Sequence, residues 1–466
     1  MDIESAVRLC VAKMADAKVS PLAAKSFIAN ARKVAEGDLG LIPETEVEAI
    51  ATLPGLDDLP EPSARASALL GELAVLKLNG GLGTGMGLQK AKSLLMIRDN
   101  RAFLDFIAAQ IQDLRGRPGA GRLAFLLMNS FSTQADSLAY LERYSNLGLG
   151  ESLDFLQSKV PKLDAQTLEP ATWPDDPELE WCPPGHGDIY PSLVSSGVLD
   201  RLLKQGIRYL FVSNSDNLGA SVDLRLLEHF ARSGGSFLME VAERTPSDRK
   251  GGHLARRKAD GRLSLREFAQ CSSSDVALFQ DIARHRFFNT NNLWLRLDHL
   301  RDELEKRGGL LPLPLIRNEK TVDPTRKDSP KVLQLESAMG AAIECFERAE
   351  ALVVPRTRFA PVKSTADLLV LRSDACRVTP DHRIELAACL RGVPPEVTLD
   401  EKFYRTIAAF ERAFPQGVPS LAGCDRLKVK GPFIFAAGVI CQGDVEWTNT
   451  GEEAQWISAG TYGAAS

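Results

Sequence analysis

No apolar run in this chain reaches the roughly 20 residues that a membrane-spanning helix needs, which argues against a helical membrane protein. A basic excess is also missing. Lys and Arg number 56 against 61 Asp and Glu, a net charge of −5, so nucleic-acid binding through a global positive field is excluded, though a local basic pocket for phosphates is not. Low-complexity tracts are absent. The eight cysteines, at 10, 182, 271, 345, 376, 389, 424 and 441, form no C-x-x-C pair, and no His/Cys cluster has metal-ligand spacing. They read as scattered, mostly buried thiols of a reducing compartment, and the cytoplasm is the expected location. The opening MDIESAVRLCVAKMADAKVS alternates charges and lacks the apolar core of a secretory leader.

What is present is the composition of a globular protein, 44% hydrophobic and 25% charged, in 466 residues. That length exceeds one ordinary core, so two or three domains are expected. Residues 1–70 read as a helical N-terminal region: Ile3, Val7, Cys10, Val11 and Met14 recur at helical spacing, as do Leu22, Phe27 and Ile28. Pro43, Pro54, Pro60 and Pro62 break the remainder of this region into short pieces. From residue 74 short apolar runs alternate with helical stretches. The predicted strands are 74–78, 123–128, 209–213, 237–241, 292–297 and 351–354; the predicted helices include 103–114, 193–205 and 224–233. This alternation predicts an α/β domain over 71–395 around a mixed, mostly parallel sheet, with ligand residues just past the carboxyl ends of strands. Residues 396–466 begin with a helical stretch, 399–414, and continue as short β-like pieces punctuated by Gly431, Gly438 and Gly443. Such spacing suits a small β-solenoid or a sandwich.

Four constellations carry chemistry. The first is KLNGGLGTGMG, Lys77 to Gly87, followed by Lys90, Lys92 and Ser93, with five glycines between Gly80 and Gly87 directly after a strand. Glycines let the backbone approach an anion and aim successive N–H groups at it, and the lysines add charge. The Walker pattern fails because Ala91 precedes Lys92-Ser93, and a G-x-G-x-x-G reading fits only loosely. The second is Pro183-Pro184-Gly185-His186-Gly187-Asp188, a glycine-flanked histidine in a turn, which suits either a substrate contact or a structural role. The third is the apolar run from Tyr209 ending in Asn214, Ser215, Asp216 and Asn217. An aspartate there can hold Mg²⁺ beside phosphates or cap the following helix. The fourth is RFAPVKSTAD, Arg358 to Asp367, which carries Lys363. FNTNN at 288–292 and LQLESAMG at 333–340 are also unusual; the Asn/Thr run fits hydrogen bonding to sugar hydroxyls and equally a self-bonded turn.

Taken in order, KLNGGLGTGMG with AKSLL, LLMNSFST, FLQSKVPKL, PPGHGDIYPSL, FVSNSDNLGA, RKGGHLA, FNTNNLWL, VLQLESAMGAA and RFAPVKSTADLL resemble the eukaryotic-type UTP–glucose-1-phosphate uridylyltransferase (UDP-glucose pyrophosphorylase) family over about residues 75–370. The resemblance implies a glycosyltransferase-A-like nucleotidyltransferase domain with a helical N-terminal part and a short C-terminal left-handed β-helix. It implies that Leu78, Asn79, Gly80 and Gly81 meet the nucleotide, with Gly80 and Gly81 also near the sugar phosphate. Lys92 would contact the triphosphate, Gln157 and Gly185 the uracil, and His186 the sugar phosphate. Asn214, Ser215 and Asp216 fall at nucleotide, sugar-phosphate and metal positions, with Asp216 on Mg²⁺. Lys363 would reach the phosphates from across the cleft, and Gly252, Glu267, Asn289 and Asn291 would face the hexose. One departure is Lys90-Ala91, where the family usually has Gly-Pro; proline would restrict φ there.

The implied reaction takes UTP and glucose 1-phosphate to UDP-glucose and pyrophosphate by direct displacement, with Lys92 and Lys363 as the catalytic charges. Alternatives are a uridylyltransferase for galactose or N-acetylhexosamine 1-phosphate, a nucleotide-sensing relative without catalysis, or a scaffold. The resemblance also leaves room for self-association through the C-terminal part.

Overall fold

A computed structural model describes residues 3–463. Among the described residues, ten strands build one mixed sheet: β1 (Val47–Ala49), β2 (Leu73–Asn79), β3 (Ala124–Asn129), β4 (Asp154–Leu156), β5 (Tyr209–Asn214), β6 (Phe237–Glu243), β7 (His253–Arg257), β8 (Leu263–Arg266), β9 (Phe287–Arg296) and β10 (Ala349–Val353). Strands β4, β3, β2 and β5 are neighbours and all parallel. Strand β9 runs antiparallel against β5 and β6, β6 pairs in parallel with β10, and β9, β7, β8 and β1 extend the sheet antiparallel.

The parallel strands are apolar almost throughout because both sheet faces are covered. Val75, Phe125, Leu127 and Phe211 line one face; Ala74, Leu76, Leu126, Leu210 and Val212 line the other. Helices Phe103–Arg115 and Leu224–Ser233 bury Phe106, Ile107, Leu226, Leu227 and Phe230 on the first face. The predicted helix over 193–205 is two, Ile189–Ser195 and Val198–Lys204, separated where Gly197 takes φ 72°. Predicted strand 292–297 starts earlier, at Phe287. The polar FNTNN run hides that start because the β6–β9 ladder shifts at Glu240/Val241, leaving Thr290 and Asn291 without partners and Asn291 at φ 60°.

The N-terminal helices Ile3–Asp16 and Pro21–Ala35 form as the apolar spacing predicts, and the second is capped by Ser20, whose side chain accepts from Ala23 N–H. Both pack on a small antiparallel sheet (Leu163–Asp164, Ile316–Thr321, Lys331–Glu336) through Cys10, Met14, Phe27, Leu163, Leu315, Leu333 and Leu335. The 1–70 region is not wholly helical: Val47–Ala49 joins the main sheet beside β7. A three-residue strand between proline-broken pieces leaves no periodicity to read.

In the tail, Glu396–Leu399, Ser420–Lys430, Val439–Thr448 and Gly460–Tyr462 stack in parallel, and Phe433–Phe435 pairs in parallel with Gln455–Ile457. A sandwich of antiparallel hairpins is therefore excluded. The stack buries Leu421, Leu427, Val429, Phe435 and Val445, and this interior is continuous with the first-face core of the main sheet.

Candidate active site

Three parallel strands finish together on asparagine. Asn79 pairs with Asn129, and Asn214 pairs with Leu78. Their loops therefore leave from one edge, the place where open α/β sheets carry ligands. The Asn79 side chain is buried inward: Nδ2 donates to Asn129 Oδ1 (2.7 Å) and Ser137 Oγ (2.8 Å), and Oδ1 accepts from Ser215 Oγ (3.1 Å). Asn79 and Ser215 thus have their side chains spent on tying strand ends together, and Ser215 N–H donates to Leu78 O (3.0 Å), so the strand end is fixed where the glycine loop begins.

The glycine loop leaves Asn79 and returns at once. Ser130 Oγ donates to Gly80 O (2.9 Å) and Lys92 N–H to Gly81 O (3.0 Å). Gly83 takes φ 66°, a conformation that a side chain would strain, and starts the single turn Thr84–Met86. A methyl group on Gly80 would stand 2.8 Å from Gln157 Oε1, whereas one on Gly81 or Gly85 would meet nothing within 4 Å. The loop is therefore closed on one side and open on the other. Its tip is held by the tail linker, where Arg405 Nε donates to Gly85 O (3.1 Å).

Gln157 joins this loop to the histidine turn, since its Nε2 donates to Gly185 O (2.9 Å). Gly185 sits at φ 78° against Ser337, whose N–H donates to Pro184 O (3.0 Å) while its carbonyl accepts from Gly187 N–H (2.8 Å). His186 Nδ1 accepts from Met339 N–H (2.9 Å), so the ring proton of the neutral form lies on Nε2. Desolvation pushes this histidine down to about 4, so it stays neutral near pH 7. Asp188, raised to about 6 by desolvation, anchors the turn by accepting from Ser158 N–H (2.6 Å) and Ser192 Oγ (2.7 Å).

At the end of β5, Asp216 Oδ2 lies 2.5 Å from Lys92 Nζ, and both side chains are less than one-fifth exposed. The glycine loop and the strand end thus meet through an ion pair. The segment after Arg358 comes in from the other side: Val362 N–H donates to Asp216 O (3.3 Å), and Lys363, exposed, carries its ammonium 5.6 Å from the Phe359 ring. Lys363 N–H and Ser364 N–H both donate to Asp367 Oδ2 (2.8 Å each), which caps the following helix and fixes where the lysine emerges. Lys363 also acts electrostatically on Glu267, whose carboxyl is raised chiefly by burial and lowered by that charge.

Glu267 presses on Gly252 so closely that any side chain at 252 would collide with its carboxylate. Gly252 O accepts from Asn289 N–H (3.0 Å). Asn289 Nδ2 donates to Asn291 Oδ1 (2.9 Å), and Asn289 Oδ1 accepts from Asn291 N–H (2.9 Å). The structure therefore gathers predicted residues into linked groups, Gly80–Gln157–Gly185–His186, Lys92–Asp216 and Gly252–Glu267–Asn289–Asn291, with the Lys363 segment bonded to the Asp216 backbone through Val362 and the Lys363 charge felt at Glu267. Sequence reasoning missed Ser130, Ser337, Glu240 and Asn217 as supports. LQLESAMG stood out as unusual, but nothing in its composition says that Ser337 cradles the histidine turn.

The chain thus has a mixed α/β sheet with a glycine loop at its carboxyl edge, a lysine of that loop paired with the aspartate at the end of β5, and a second lysine on the segment bonded to that aspartate's backbone. The family model for UTP–glucose-1-phosphate uridylyltransferase matches residues 24–442. The barley (Hordeum vulgare) enzyme of that name is 41% identical over 387 residues, covering 83% of this chain and 79% of the relative. The Saccharomyces cerevisiae one is 40% identical over 379 residues, 81% and 74%. A UDP-glucose pyrophosphorylase variant of Leishmania major, solved with UDP-glucose, superposes with TM-score 0.92 at 49% identity, covering 98% of this chain and 97% of that one. The Trypanosoma brucei UDP-glucose phosphorylase gives TM-score 0.92 at 46% identity, covering 98% of both. The chain belongs to the UTP–glucose-1-phosphate uridylyltransferase family.

Proposed function

We propose that the chain is a nucleotidyltransferase that moves the uridylyl group of UTP to glucose 1-phosphate, releasing pyrophosphate and forming UDP-glucose reversibly. The observation that carries the mechanism is the Lys92–Asp216 ion pair at the end of β5, with the segment that bears Lys363 bonded to the Asp216 backbone through Val362 N–H, in a chain with this family membership. Glucose 1-phosphate is already an anion at neutral pH, so its phosphate oxygen attacks the α-phosphorus without a general base. The bond from that phosphorus to the β-bridging oxygen breaks, and pyrophosphate carries off the electron pair. The protein's task is to position the two phosphates and stabilise charge.

In this reading Gly80, Gly81 and the backbones of Leu78 and Asn79 receive the nucleotide. Gln157 and Gly185 read the base, and the Nε2–H of neutral His186 donates to the sugar phosphate. Lys92 and Lys363 spread the charge of the transferring group. Gly252, Glu267, Asn289 and Asn291 take the hexose hydroxyls, a use suited to a buried acceptor and to amides already held in place.

Magnesium is proposed on Asp216. The donor set fits: Asp216 offers one carboxylate at the carboxyl end of β5, and Mg²⁺ is ordinarily held by one or two carboxylates with substrate phosphates and water. The Lys92 ammonium stands against that carboxylate as a cation would. When bound, the metal would supply charge neutralisation of the phosphates.

The parallel stacking of the tail supports a short left-handed β-helix, and the sheet order supports a glycosyltransferase-A-like core. The division 1–70, 71–395 and 396–466, self-association through the tail, and a cytoplasmic location remain part of this proposal. The last is supported by eight free cysteines; among the described residues, no helix is long and apolar enough to cross a membrane. The test is pyrophosphate release from UTP with glucose, galactose and N-acetylhexosamine 1-phosphates. Glucose 1-phosphate should turn over fastest, and binding of UTP without any pyrophosphate release would refute the proposal.

A further inference from the structure

Asn217 follows Asp216, and every bond of its buried side chain reaches toward the Lys363 segment or its support. Nδ2 donates to Arg358 O (3.1 Å) and to Asn292 Oδ1 (3.4 Å), and Oδ1 accepts from Ala360 N–H (3.0 Å). A backbone bridge pairs Asn217 with Pro361, and Val362 N–H donates to Asp216 O (3.3 Å). One amide thus stitches the end of β5 to two successive peptide units, 358–359 and 359–360, that lead to Lys363.

The far side of this seam is anchored independently. Arg358 Nε and Nη2 donate to the two Glu240 oxygens (2.8 and 2.7 Å), and that carboxylate, wholly buried on β6, also accepts from Trp294 Nε1 (2.9 Å) and Asn292 Nδ2 (3.1 Å). With four donors on two oxygens, Glu240 holds Arg358 at a set place on the sheet. Asn292 Nδ2 adds a second bond to Arg358 O (3.2 Å). The remaining freedom is how far the Ala360–Lys363 stretch stands from Asp216, and Asn217 is the side chain that closes it. Losing the amide leaves Ala360 N–H unpaired in the protein and Arg358 O with one donor fewer. A misplacement of about 1 Å in a charge-stabilising group is enough to cost about 10²-fold in rate.

We propose that Asn217 is a positioning residue for uridylyl transfer, setting the span between Asp216 and Lys363. This rests on the reading of Lys363 given under Proposed function. The test is a double-variant cycle with Asn217→Ala and Lys363→Ala, following initial rates at varied UTP and glucose 1-phosphate, with a melting curve for each protein. Asn217→Ala alone should lower kcat about 10-fold or more while both KM values stay within about 3-fold. In the Lys363→Ala background the same substitution should cost less than about 2-fold. A loss that multiplies in full in the double variant, or one that falls on KM with kcat intact, overturns the proposal. So does a single variant of near-normal rate, and in that case a slow Lys363→Ala enzyme would leave the mechanism standing. A near-normal Lys363→Ala enzyme would instead remove Lys363 from the mechanism and this proposal with it. If Asn217→Ala melts below the assay temperature, Asn217→Ser, whose hydroxyl can still serve Ala360 N–H but not span to Arg358 O, goes through the same cycle against the same thresholds.

Discussion

Replacing Gly185 by alanine changes one methyl group, and its cost comes from the geometry. The residue sits at φ 78°, and the new carbon would stand 2.5 Å from Ser337 O, 2.8 Å from Ser337 N and 3.0 Å from Glu336 Cβ. With ψ at 169° this is backbone essentially reserved for glycine, where a side chain costs roughly 1–3 kcal/mol, and forcing a methyl into packed surroundings costs about 1–3 kcal/mol more. The Ser337 atoms belong to backbone that is itself bonded to Pro184 and Gly187, so relief must come from moving the histidine turn. That movement pulls Gly185 O from Gln157 and His186 Nδ1 from Met339 N–H. A penalty of ~2–6 kcal/mol on the bound, ordered turn corresponds to about 30- to 20,000-fold in kcat/KM for UTP. The assay is steady-state pyrophosphate release, with Gly81→Ala as the contrast. Gly81 has φ outside the left-handed region and open space where its methyl would go, so its melting temperature should not change even if UTP binds less well. Gly185→Ala with normal kcat/KM and normal melting would refute the claim that this turn is held against Ser337.

Two other perturbations have defined outcomes. Asp216→Ala should nearly abolish magnesium-dependent turnover, read as rate against Mg²⁺ concentration; a rate retained at low Mg²⁺ takes the metal away from Asp216. His186, lowered from 6.5 to about 4 by desolvation, contributes stability that is complete above pH 6.5 and is lost as pH falls toward 4. The linked amount is at most ~3 kcal/mol, trimmed by the partial exposure of the ring. Asp188 titrates in the opposite sense, its stability present below 3.8 and lost as pH rises through about 6, so the two are separated by comparing wild type with His186→Gln. The difference in melting temperature should shrink between pH 7 and pH 4.5, and a constant difference would contradict the assignment.

The parts of the fold that were legible in the sequence are those where one period dominates. Strands β2, β3, β5 and β6 and the helix at 224–233 lie within a residue or two of the apolar runs that predicted them, because both sheet faces are buried and the helix carries one apolar stripe. Val47–Ala49 was illegible for the opposite reason, being three residues placed by a neighbour more than 200 positions away, β7. In the active site the residue types were legible but not their orientation. Asn79 reads as a ligand in KLNGGLG, and only the register of β2 against β3 turns its amide inward to Asn129 and Ser137. Glu240 sits in FLMEVAE as an ordinary acid; its role appears once β9 brings Asn292 and Trp294, and the later segment brings Arg358, to its two oxygens. Contacts across such sequence distances have no local signature.

In the proposed reaction UTP and glucose 1-phosphate are held together at one site and joined directly. Initial rates with both substrates varied, in the presence of Mg²⁺ and with UDP-glucose and pyrophosphate both quantified, test it most directly. Intersecting reciprocal plots and one pyrophosphate for each UDP-glucose are expected. Parallel plots, pyrophosphate release from UTP alone, or no transfer despite UTP binding would contradict it.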